Sequence, residues 1–297
     1  MSISLYISNE QIAAVAGGGA GKRFTVKACA AVPVPAGSVL GGVITDERGL
    51  SDALDSLFEK LSDRPKSVRL VLSSSQIIQK RSVVPKLPRK KLLEWAKNEF
   101  ADVDTEGDEL IYDCMLLGSL GEGKGDAALL CAARKGLIAP YVELLSGKKI
   151  RIDCIDTTLS ALQKLVWFLP ETREATFIIL ALDGNILDAM LFVKGEYRFS
   201  NRTRLIAARG TAESTAEVSR MVSSLIQFNL SERSGESIAC LYALGSTPGE
   251  TGMLQSITTA YDLPASVLTD ASGSVAAKED GFRLADYAFA VGDRIGI

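Results

Sequence analysis

The sequence contains no histidine. Without histidine the chain cannot build a Ser-His-Asp or Cys-His catalytic group, a histidine-ligated metal site or a histidine-based pH switch. Its cysteines are few and scattered, and no two of them form a C-x-x-C pair. They are Cys29, Cys114, Cys131, Cys154 and Cys240. This pattern predicts buried, reduced thiols rather than a zinc site or a disulfide framework.

Excess charge of one sign and long apolar runs are also scarce. The net charge is −3, which argues against a nucleic-acid-binding protein. No apolar run approaches the ~18 residues of a membrane-spanning helix, and the first residues lack the basic and apolar regions of a signal peptide. The hydrophobic fraction of 47% still supplies enough apolar surface for folded cores. We therefore expect a cytoplasmic protein that does not insert into the membrane itself.

The first part of the chain, residues 1–78, has the pattern of strands around one amphipathic helix. Three apolar runs up to Val34 predict strands, and the glycine-rich segment 17–22 between the last two predicts a hairpin turn. That segment is not a P-loop, because the spacing of its glycines and the residue after Lys22 do not fit G-x-x-x-x-G-K-[ST]. Leucines at helical spacing from Leu50 to Leu61 predict a helix capped by Thr45 or Asp46.

Residues 79–149 have the pattern of a small, separate α+β module. A strand ending near Val84 precedes a helix from about Lys90 to Ala101, and two more strands and a helix follow. The chain then returns to alternating strands and helices over residues 150–174 and 175–276, and a helix is expected in the tail, 277–297. The parts before and after the module are similar, each with a hairpin, a helix and a further strand.

An ordered set of segments resembles the PilM family, the actin-like proteins of the type IV pilus inner-membrane platform. More distantly, the sequence is similar to FtsA and to the cytoplasmic part of the secretion protein GspL. The segments are Gly42-Val43-Ile44-Thr45-Asp46, Leu70 to Ser75 continuing to Val84-Pro85-Lys86-Leu87-Pro88, Ala132-Ala133-Arg134-Lys135, and Ile152 to Asp156. Together they cover nearly the whole chain in order.

The resemblance implies a two-lobed, actin-like α/β fold, which is a duplicated ribonuclease H-like fold with an inserted 1C-type α+β subdomain. On that basis residues 1–78 are expected to be the first part of subdomain 1A, and 79–149 the 1C-like insertion. Residues 150–174 would return to 1A, 175–276 would form the second lobe, and 277–297 would be a C-terminal helix.

The resemblance also implies where a nucleotide would bind, and there the sequence departs from the family pattern. Actin-like ATPases hold phosphate on two hairpins that carry Asp-x-Gly-Ser/Thr, whereas the first hairpin here ends in Asn9 and the second carries Asp183-Gly184 out of register. The glycine turn expected near adenosine is reduced to Gly245 with bulkier neighbours. If nucleotide binding is retained, these four residues are its candidates. The loss of a metal-organising carboxylate predicts that binding is weak or absent.

The function that the resemblance implies is that of a non-catalytic scaffold, without metal or cofactor, peripheral to the inner face of the membrane. In the family, a groove between subdomains 1A and 1C takes the short cytoplasmic segment of PilN, a membrane protein with one span. The residues expected to line this groove here are Val83, Val84, Leu87, Trp95 and Phe100. The alternative for the same five residues is ordinary packing in the core of the inserted module.

Two other functions stay open at this point. One is a working actin-like ATPase with divergent phosphate loops, which would use ATP and Mg²⁺. The other is a scaffold of a related secretion or division system. Self-association is compatible with each of these functions, and neither nucleic acid nor direct membrane insertion is expected.

Overall fold

The structure is a computed structural model that describes residues 3–61, 64–103, 107–232, 235–279 and 281–296. Its packing divides the chain into two compact units. The first contains Met1–Ile12 and Val32–Ser160, and the second contains Ala13–Ala31 and Ala161–Ile297. The residues of each unit contact one another more than they contact the other unit. The limits of the units differ from the predicted subdomain limits, which stay a prediction.

The elements alternate between strands and helices along most of the chain. The strands are β1 (Ile3–Ile7), β2 (Gln11–Ala20), β3 (Arg23–Pro33), β4 (Val39–Leu40), β5 (Val43–Ile44), β6 (Ser67–Leu72), β7 (Ile78–Val84), β8 (Leu110–Ser119), β9 (Asp126–Arg134), β10 (Arg151–Thr157), β11 (Phe177–Asp183), β12 (Ile186–Val193), β13 (Glu196–Arg204), β14 (Cys240–Leu244), β15 (Ala265–Val267) and β16 (Val275–Ala277). The helices are α1 (Glu47–Lys60), α2 (Arg89–Glu99), α3 (Lys135–Gly147), α4 (Thr158–Phe168), α5 (Pro170–Arg173), α6 (Ala212–Ser231), α7 (Thr251–Tyr261) and α8 (Leu284–Arg294).

The two larger sheets have the same strand order. One runs β10-β6-β1-β2-β3, with β16 beyond β3, and the other runs β15-β14-β11-β12-β13. In each sheet the first strand of its hairpin, β1 or β11, also pairs in parallel with a later strand, β6 or β14. The sequence prediction of two similar halves is confirmed.

Helix α1 forms as the leucine spacing predicts. Its side chains Leu50, Leu54 and Leu57 are fully buried, so one face of the helix packs into the core of the first unit. Asp46 is the N-cap, and its Oδ1 accepts a hydrogen bond from the backbone N–H of Gly49 at 3.1 Å.

The glycine-rich segment differs from its prediction. Strand β2 continues through Gly17, Gly18 and Gly19, and the turn contains only Gly21 and Lys22. The reason is close backbone approach: a Cβ added at Gly17 would lie 2.5 Å from the carbonyl oxygen of Thr25. At Gly19 the corresponding distance, to the carbonyl oxygen of Arg23, is 2.2 Å. These glycines permit tight packing within the second unit rather than a turn.

The inserted module is an antiparallel sheet with one helix on it. The strand order is β7-β9-β8, and α2 covers one face. The residues of its core are buried and come from all four elements. They are Val84, Leu92, Ala96, Phe100, Cys114, Ala128, Leu130 and Ala132. The predicted order of a strand, a helix, two strands and a closing helix is confirmed, the closing helix being α3, while the limits of the module stay a prediction.

None of the five cysteines forms a disulfide bond, as predicted, but they are less buried than expected. Only Cys114 is buried, and the other four are partly exposed. Burial still raises the pKa of the Cys29 thiol to about 11, with a hydrogen bond to Glu279 adding to the effect. Within the described ranges, no helix combines the length and the apolar character needed to cross a membrane.

Helices α8 and α4 approach each other closely within the second unit. Gly292 on α8 is the contact point, because a Cβ placed there would lie 2.1 Å from the carbonyl oxygen of Ala161. A neighbouring contact, to the Cβ atom of Leu165, would be 3.2 Å. Only glycine fits at this crossing without movement of the backbone.

We expect Gly292→Ala to lower the free energy of unfolding by about 1–3 kcal/mol, because the added methyl group must push the two helices apart. Urea unfolding followed by circular dichroism measures this loss. Gly252→Ala on α7 is the matched control, since a Cβ there meets no atom within 4 Å. The control is expected to keep or slightly raise the stability. Equal losses in both variants would contradict the packing argument.

Candidate functional site

The first predicted phosphate loop is a tight turn between β1 and β2. Ser8 is fully buried, and its Oγ accepts hydrogen bonds from the backbone N–H groups of Glu10 and Gln11 at 3.3 and 3.2 Å. The backbone N–H of Ser8 in turn donates to the carbonyl oxygen of Gln11 at 3.0 Å. The turn is therefore held by its own hydroxyl group.

Asn9 connects this turn to the segment before α1. Its side-chain oxygen accepts the backbone N–H of Gly41 at 2.8 Å. The carbonyl oxygen of Gly41 accepts the Ser74 hydroxyl at 2.7 Å, and that of Gly42 accepts the buried Tyr141 hydroxyl at 2.8 Å. Gly42 has a φ of +87°, and a Cβ there would lie 2.3 Å from the Cβ of Ser74. This network fixes the loop in a conformation that requires glycine.

The second predicted phosphate loop lies in the second unit. Asp183 is the last residue of β11, Gly184 has a φ of +54°, and β12 begins at Ile186. The turn is a short hairpin connection, with Asp183 paired opposite Ile186. The aspartate thus lies at the strand end, one residue away from the position that Asp-x-Gly would require.

Arg209 joins this loop to the Gly245 turn. Its Nη1 donates to the carbonyl oxygen of Gly184 at 3.3 Å, and its Nη2 donates to the carbonyl oxygen of Gly245 at 2.8 Å. Gly245 itself has a φ of +65°, and a Cβ there would lie 2.1 Å from the carbonyl oxygen of Leu182. One guanidinium group therefore bridges the two loops that the resemblance assigned to phosphate and adenosine.

Glu250 completes this bridge. Arg209 Nε donates to its Oε1 at 2.8 Å, and Arg209 Nη2 donates to its Oε2. The backbone N–H of Thr247 donates to the same Oε2 at 2.8 Å, as does the Thr247 hydroxyl at 3.1 Å. The Glu250 side chain is 3% exposed and that of Arg209 is 19% exposed. We call this pair and its contacts the Arg209–Glu250 clamp.

The clamp keeps Glu250 ionised. Burial raises the pKa of this carboxyl, but the hydrogen bonds and charge of Arg209, together with the hydrogen bonds from Thr247, outweigh burial and hold the pKa below its ordinary value. A negative carboxylate and a matched guanidinium leave a pair without net charge between the two loops. This pair hydrogen-bonds the backbone of both loops.

A metal-binding arrangement is not found in the described part of the chain, where no three carboxylate or cysteine side chains are grouped closely enough to hold an ion. Of the four predicted nucleotide residues, Gly184 and Gly245 are brought together by Arg209. Asn9 belongs to the network of the first unit and contacts Gly41 instead.

The predicted partner-binding residues have three different placements. Val84 and Phe100 are buried in the core of the inserted module, at 1% and 3% exposure. Val83 is 51% exposed, and as the preceding strand residue it points to the opposite face of the sheet. Leu87 and Trp95 pack, partly exposed, at the border of the core. Core packing thus accounts for two of the five residues, and partner contact by the other three stays a prediction.

Trp95 has an unusual polar atom. Its Nε1 is buried and has no hydrogen-bond partner among the described residues. A buried indole N–H ordinarily donates to an acceptor. Trp95 therefore contributes a buried donor for which the described residues supply no acceptor.

Arg209 and Glu250 were not among the sequence-predicted site residues. Thr247-Pro248-Gly249-Glu250 does have a local signal, because Thr and Glu three residues apart form a capping box, here with Pro at the first helical position. No local sequence pattern identifies Arg209, which lies 41 residues before Glu250. The pairing of the two residues becomes apparent only in the folded structure.

The repeated strand order and the inserted module define the class: this is an actin-like α/β fold. Two solved structures of low sequence identity support the same class. A Bacteroides thetaiotaomicron protein with an actin-like ATPase fold and unknown function is 12% identical, with a TM-score of 0.53 over 90% of each chain. The ethanolamine utilization protein EutJ from Carboxydothermus hydrogenoformans is 10% identical, with a TM-score of 0.50 over 99% of this chain and 89% of that one.

Within this class, the sequence matches the family model for the type IV pilus assembly protein PilM over residues 4–201, and the chain belongs to that family. A solved PilM-PilN type IV pilus biogenesis complex is 18% identical, with a TM-score of 0.80 over 98% of this chain and 96% of that one. A search of the curated proteins found no match.

We expect Arg209→Met to cost about 3 kcal/mol of unfolding free energy at neutral pH, because Glu250 would remain charged and buried without its partner. In the wild type the pKa of Glu250 is lower in the folded than in the unfolded state, so its ionised form stabilises the fold at any pH above the ordinary pKa of 4.5. This contribution is lost as the pH falls through the folded-state pKa. In the variant, only the hydrogen bonds from Thr247 still oppose burial, so the pKa of Glu250 is higher than in the wild type and protonation relieves more of the cost. The difference between the two proteins should therefore shrink from about pH 7 to about pH 4.

Urea unfolding at both pH values tests this sign. The matched control is Arg198→Met, which breaks the pair with Glu232, whose two side chains are each 34% exposed. That loss should stay below about 1 kcal/mol. A difference between Arg209→Met and the wild type that is constant with pH would contradict the clamp.

Proposed function

We propose that this protein is a non-catalytic scaffold of a type IV pilus inner-membrane platform. In this proposal it binds the cytoplasmic N-terminal segment of a PilN-like membrane protein and is held at the inner face of the membrane by that partner. The observation that carries the proposal is family membership together with likeness to a solved PilM-PilN complex over 98% of the chain. The chain would reach the membrane through its partner, as the sequence predicts.

The loops support the non-catalytic part of the proposal. In an actin-like ATPase the phosphate loops offer free backbone N–H groups and a carboxylate for Mg²⁺. Here the side-chain oxygen of Asn9 accepts a hydrogen bond from Gly41. Arg209 donates hydrogen bonds to the Gly184 and Gly245 loops and is itself held by Glu250. These loops keep their conformation through internal hydrogen bonds, so we propose that neither ATP nor Mg²⁺ is required. In the alternative, an ATPase, Asn9, Asp183, Gly184 and Gly245 would hold MgATP.

The inserted module supports the binding part of the proposal. Leu87 and Trp95 give a partly exposed apolar border beside a rigid core, which suits a short peptide that buries a few side chains. The Trp95 Nε1–H is buried and lacks an acceptor among the described residues, and in this proposal the indole turns on binding so that a main-chain carbonyl of the peptide accepts it. Val83 is 51% exposed and lies on the other face of β7. It would be a second apolar contact only if the peptide passed around the edge of the sheet to that face.

We expect Trp95→Phe to weaken binding of a synthetic peptide, the cytoplasmic N-terminal segment of the cognate PilN-like protein, by about fivefold. The reason is that phenylalanine keeps much of the apolar surface but loses the N–H, and one hydrogen bond contributes about 1 kcal/mol. Leu87→Asp should weaken binding by more than about tenfold, since it places a charge in the apolar contact. Isothermal titration calorimetry measures both affinities.

The chain has two tryptophans, and the second supplies the control. Trp167 lies on α4, and Trp167→Phe should leave the affinity unchanged. The same variant makes Trp95 the sole tryptophan, so its fluorescence should shift on peptide binding. In Trp95→Phe that shift should disappear. An unchanged affinity in both Trp95→Phe and Leu87→Asp would place the peptide elsewhere, and no binding to the wild type would refute the proposed function.

A further inference from the structure

A groove lies between α3 and β10 in the first unit. Its volume is about 550 Å³, and its floor is apolar, from Val142 on α3 and from Ile152 and Ile155 on β10. Val142 is 42% exposed, which leaves an apolar helix side chain open beside the strand. This groove shares no residue with the border at Leu87 and Trp95.

Strand β10 is the last strand of its sheet. Among the described residues it pairs only with β6, so its other edge carries backbone groups without a strand partner. The register shifts between Ile152 and Cys154, which leaves Asp153 as a bulge, and it is regular from Cys154 onwards. The N–H of Thr157 is taken by the Asp156 side chain at 2.8 Å. An added strand would therefore pair with the earlier stretch from Ile152 to Ile155, which also lines the groove.

The mouth of the groove is basic. It adjoins a second hollow of about 440 Å³, formed by the segments that precede β6 and β10. Among the described residues, the two hollows are lined by a single carboxylate, Asp153, and by five cationic side chains. The cations are Arg64, Lys66, Lys148, Lys149 and Arg151.

Three of these cations are partly neutralised, since Arg64 pairs with Asp55 at 3.3 Å in addition to the two pairs that follow, and the others extend the positive surface. Lys148 pairs with Asp55 at 2.7 Å, and Arg151 pairs with Asp153 at 2.9 Å while its side chain stays 77% exposed. Lys66 and Lys149 are exposed. The charge around the open strand edge is thus positive, and it complements an acidic segment.

Lys149 is held in a backbone conformation that lysine rarely adopts. It follows α3 with a φ of +60°, the position where glycine or asparagine usually ends a helix. A lysine at this position keeps an ammonium group at the junction of the two hollows at the expense of backbone strain. Strained non-glycine residues of this kind are concentrated at functional positions.

We propose that this groove binds an acidic, extended segment of another protein, which adds as a strand to the open edge of β10. Backbone hydrogen bonds to the stretch from Ile152 to Ile155 would hold the segment, as in other β-strand additions. Alternate apolar side chains would face Val142 and the isoleucines, while acidic side chains would meet Lys149, Arg151 and Lys66. The proposal goes beyond the PilN-type site and does not depend on it.

The probe is a panel of fluorescein-labelled peptides of about ten residues, which alternate Asp or Glu with Val, Ile or Thr. Fluorescence polarisation on the full chain is expected to give a Kd below about 100 µM for at least one of them. The same peptide with its acidic residues replaced by lysine should not bind. A version N-methylated along one edge of the backbone should lose at least about tenfold, because it cannot form the strand hydrogen bonds.

Variants of the chain test whether the peptide binds at this groove. Lys149→Asn keeps a residue that tolerates positive φ and removes the charge, and Arg151→Gln removes the exposed guanidinium. Each should weaken binding by about tenfold without a lower melting temperature. Lys22→Gln, at an exposed lysine in the turn between β2 and β3, is the matched control and should bind like the wild type.

Four results would overturn the proposal. They are no binding by any peptide up to about 1 mM, binding that Lys149→Asn and Arg151→Gln leave unchanged, and binding that N-methylation does not weaken. The fourth applies if no peptide binds: the wild type binds phosphatidylglycerol vesicles, or self-associates in sedimentation, and these two variants lose that binding or self-association. That result would assign the basic surface to lipid or to a second copy of the chain.

Discussion

Loops at the ends of strands must satisfy their backbone polar groups, and in this protein side chains hold the loops by doing so. In the first unit, the side chains of Asn9, Ser74 and Tyr141 hydrogen-bond the Gly41-Gly42 segment. In the second unit, Arg209 hydrogen-bonds the carbonyl oxygens of Gly184 and Gly245 and is itself held by Glu250. Side chains of the same unit therefore satisfy these backbone groups.

This constraint connects the fold with the proposed role. A ligand that binds only the native state stabilises it, so a nucleotide would be one way to hold such loops. A chain whose loops are held by its own residues can serve as a rigid body on which other proteins assemble. Membership of the PilM family fits that use, and the two surfaces proposed here would let one scaffold contact more than one partner.

Local patterns predicted most of the fold but little of the site. The helix α1 and the strand–helix–strand–strand order of the module follow from nearest-neighbour chemistry and were predicted correctly. The helix cap was predicted as Thr45 or Asp46, and Asp46 forms it. The glycines of β2 were assigned to a turn, because close backbone approach to Thr25 and Arg23 cannot be deduced from one strand alone. Arg209 was missed for the same reason: its partner Glu250 is distant in sequence. The placement of Val84 and Phe100 in a core depends on α2 covering one face of the sheet, which residue type alone does not determine.

The most direct measurement is the affinity of the wild-type chain for the PilN-like peptide, by isothermal titration calorimetry, with and without millimolar MgATP. A scaffold whose loops are held by Asn9 and by the Arg209–Glu250 clamp should give the same Kd in both conditions, and MgATP titrated alone should give no saturable heat. A Kd that changes with MgATP would show that the two sites are coupled through a bound nucleotide. That result would contradict the account and identify the protein as a nucleotide-dependent member of its fold class.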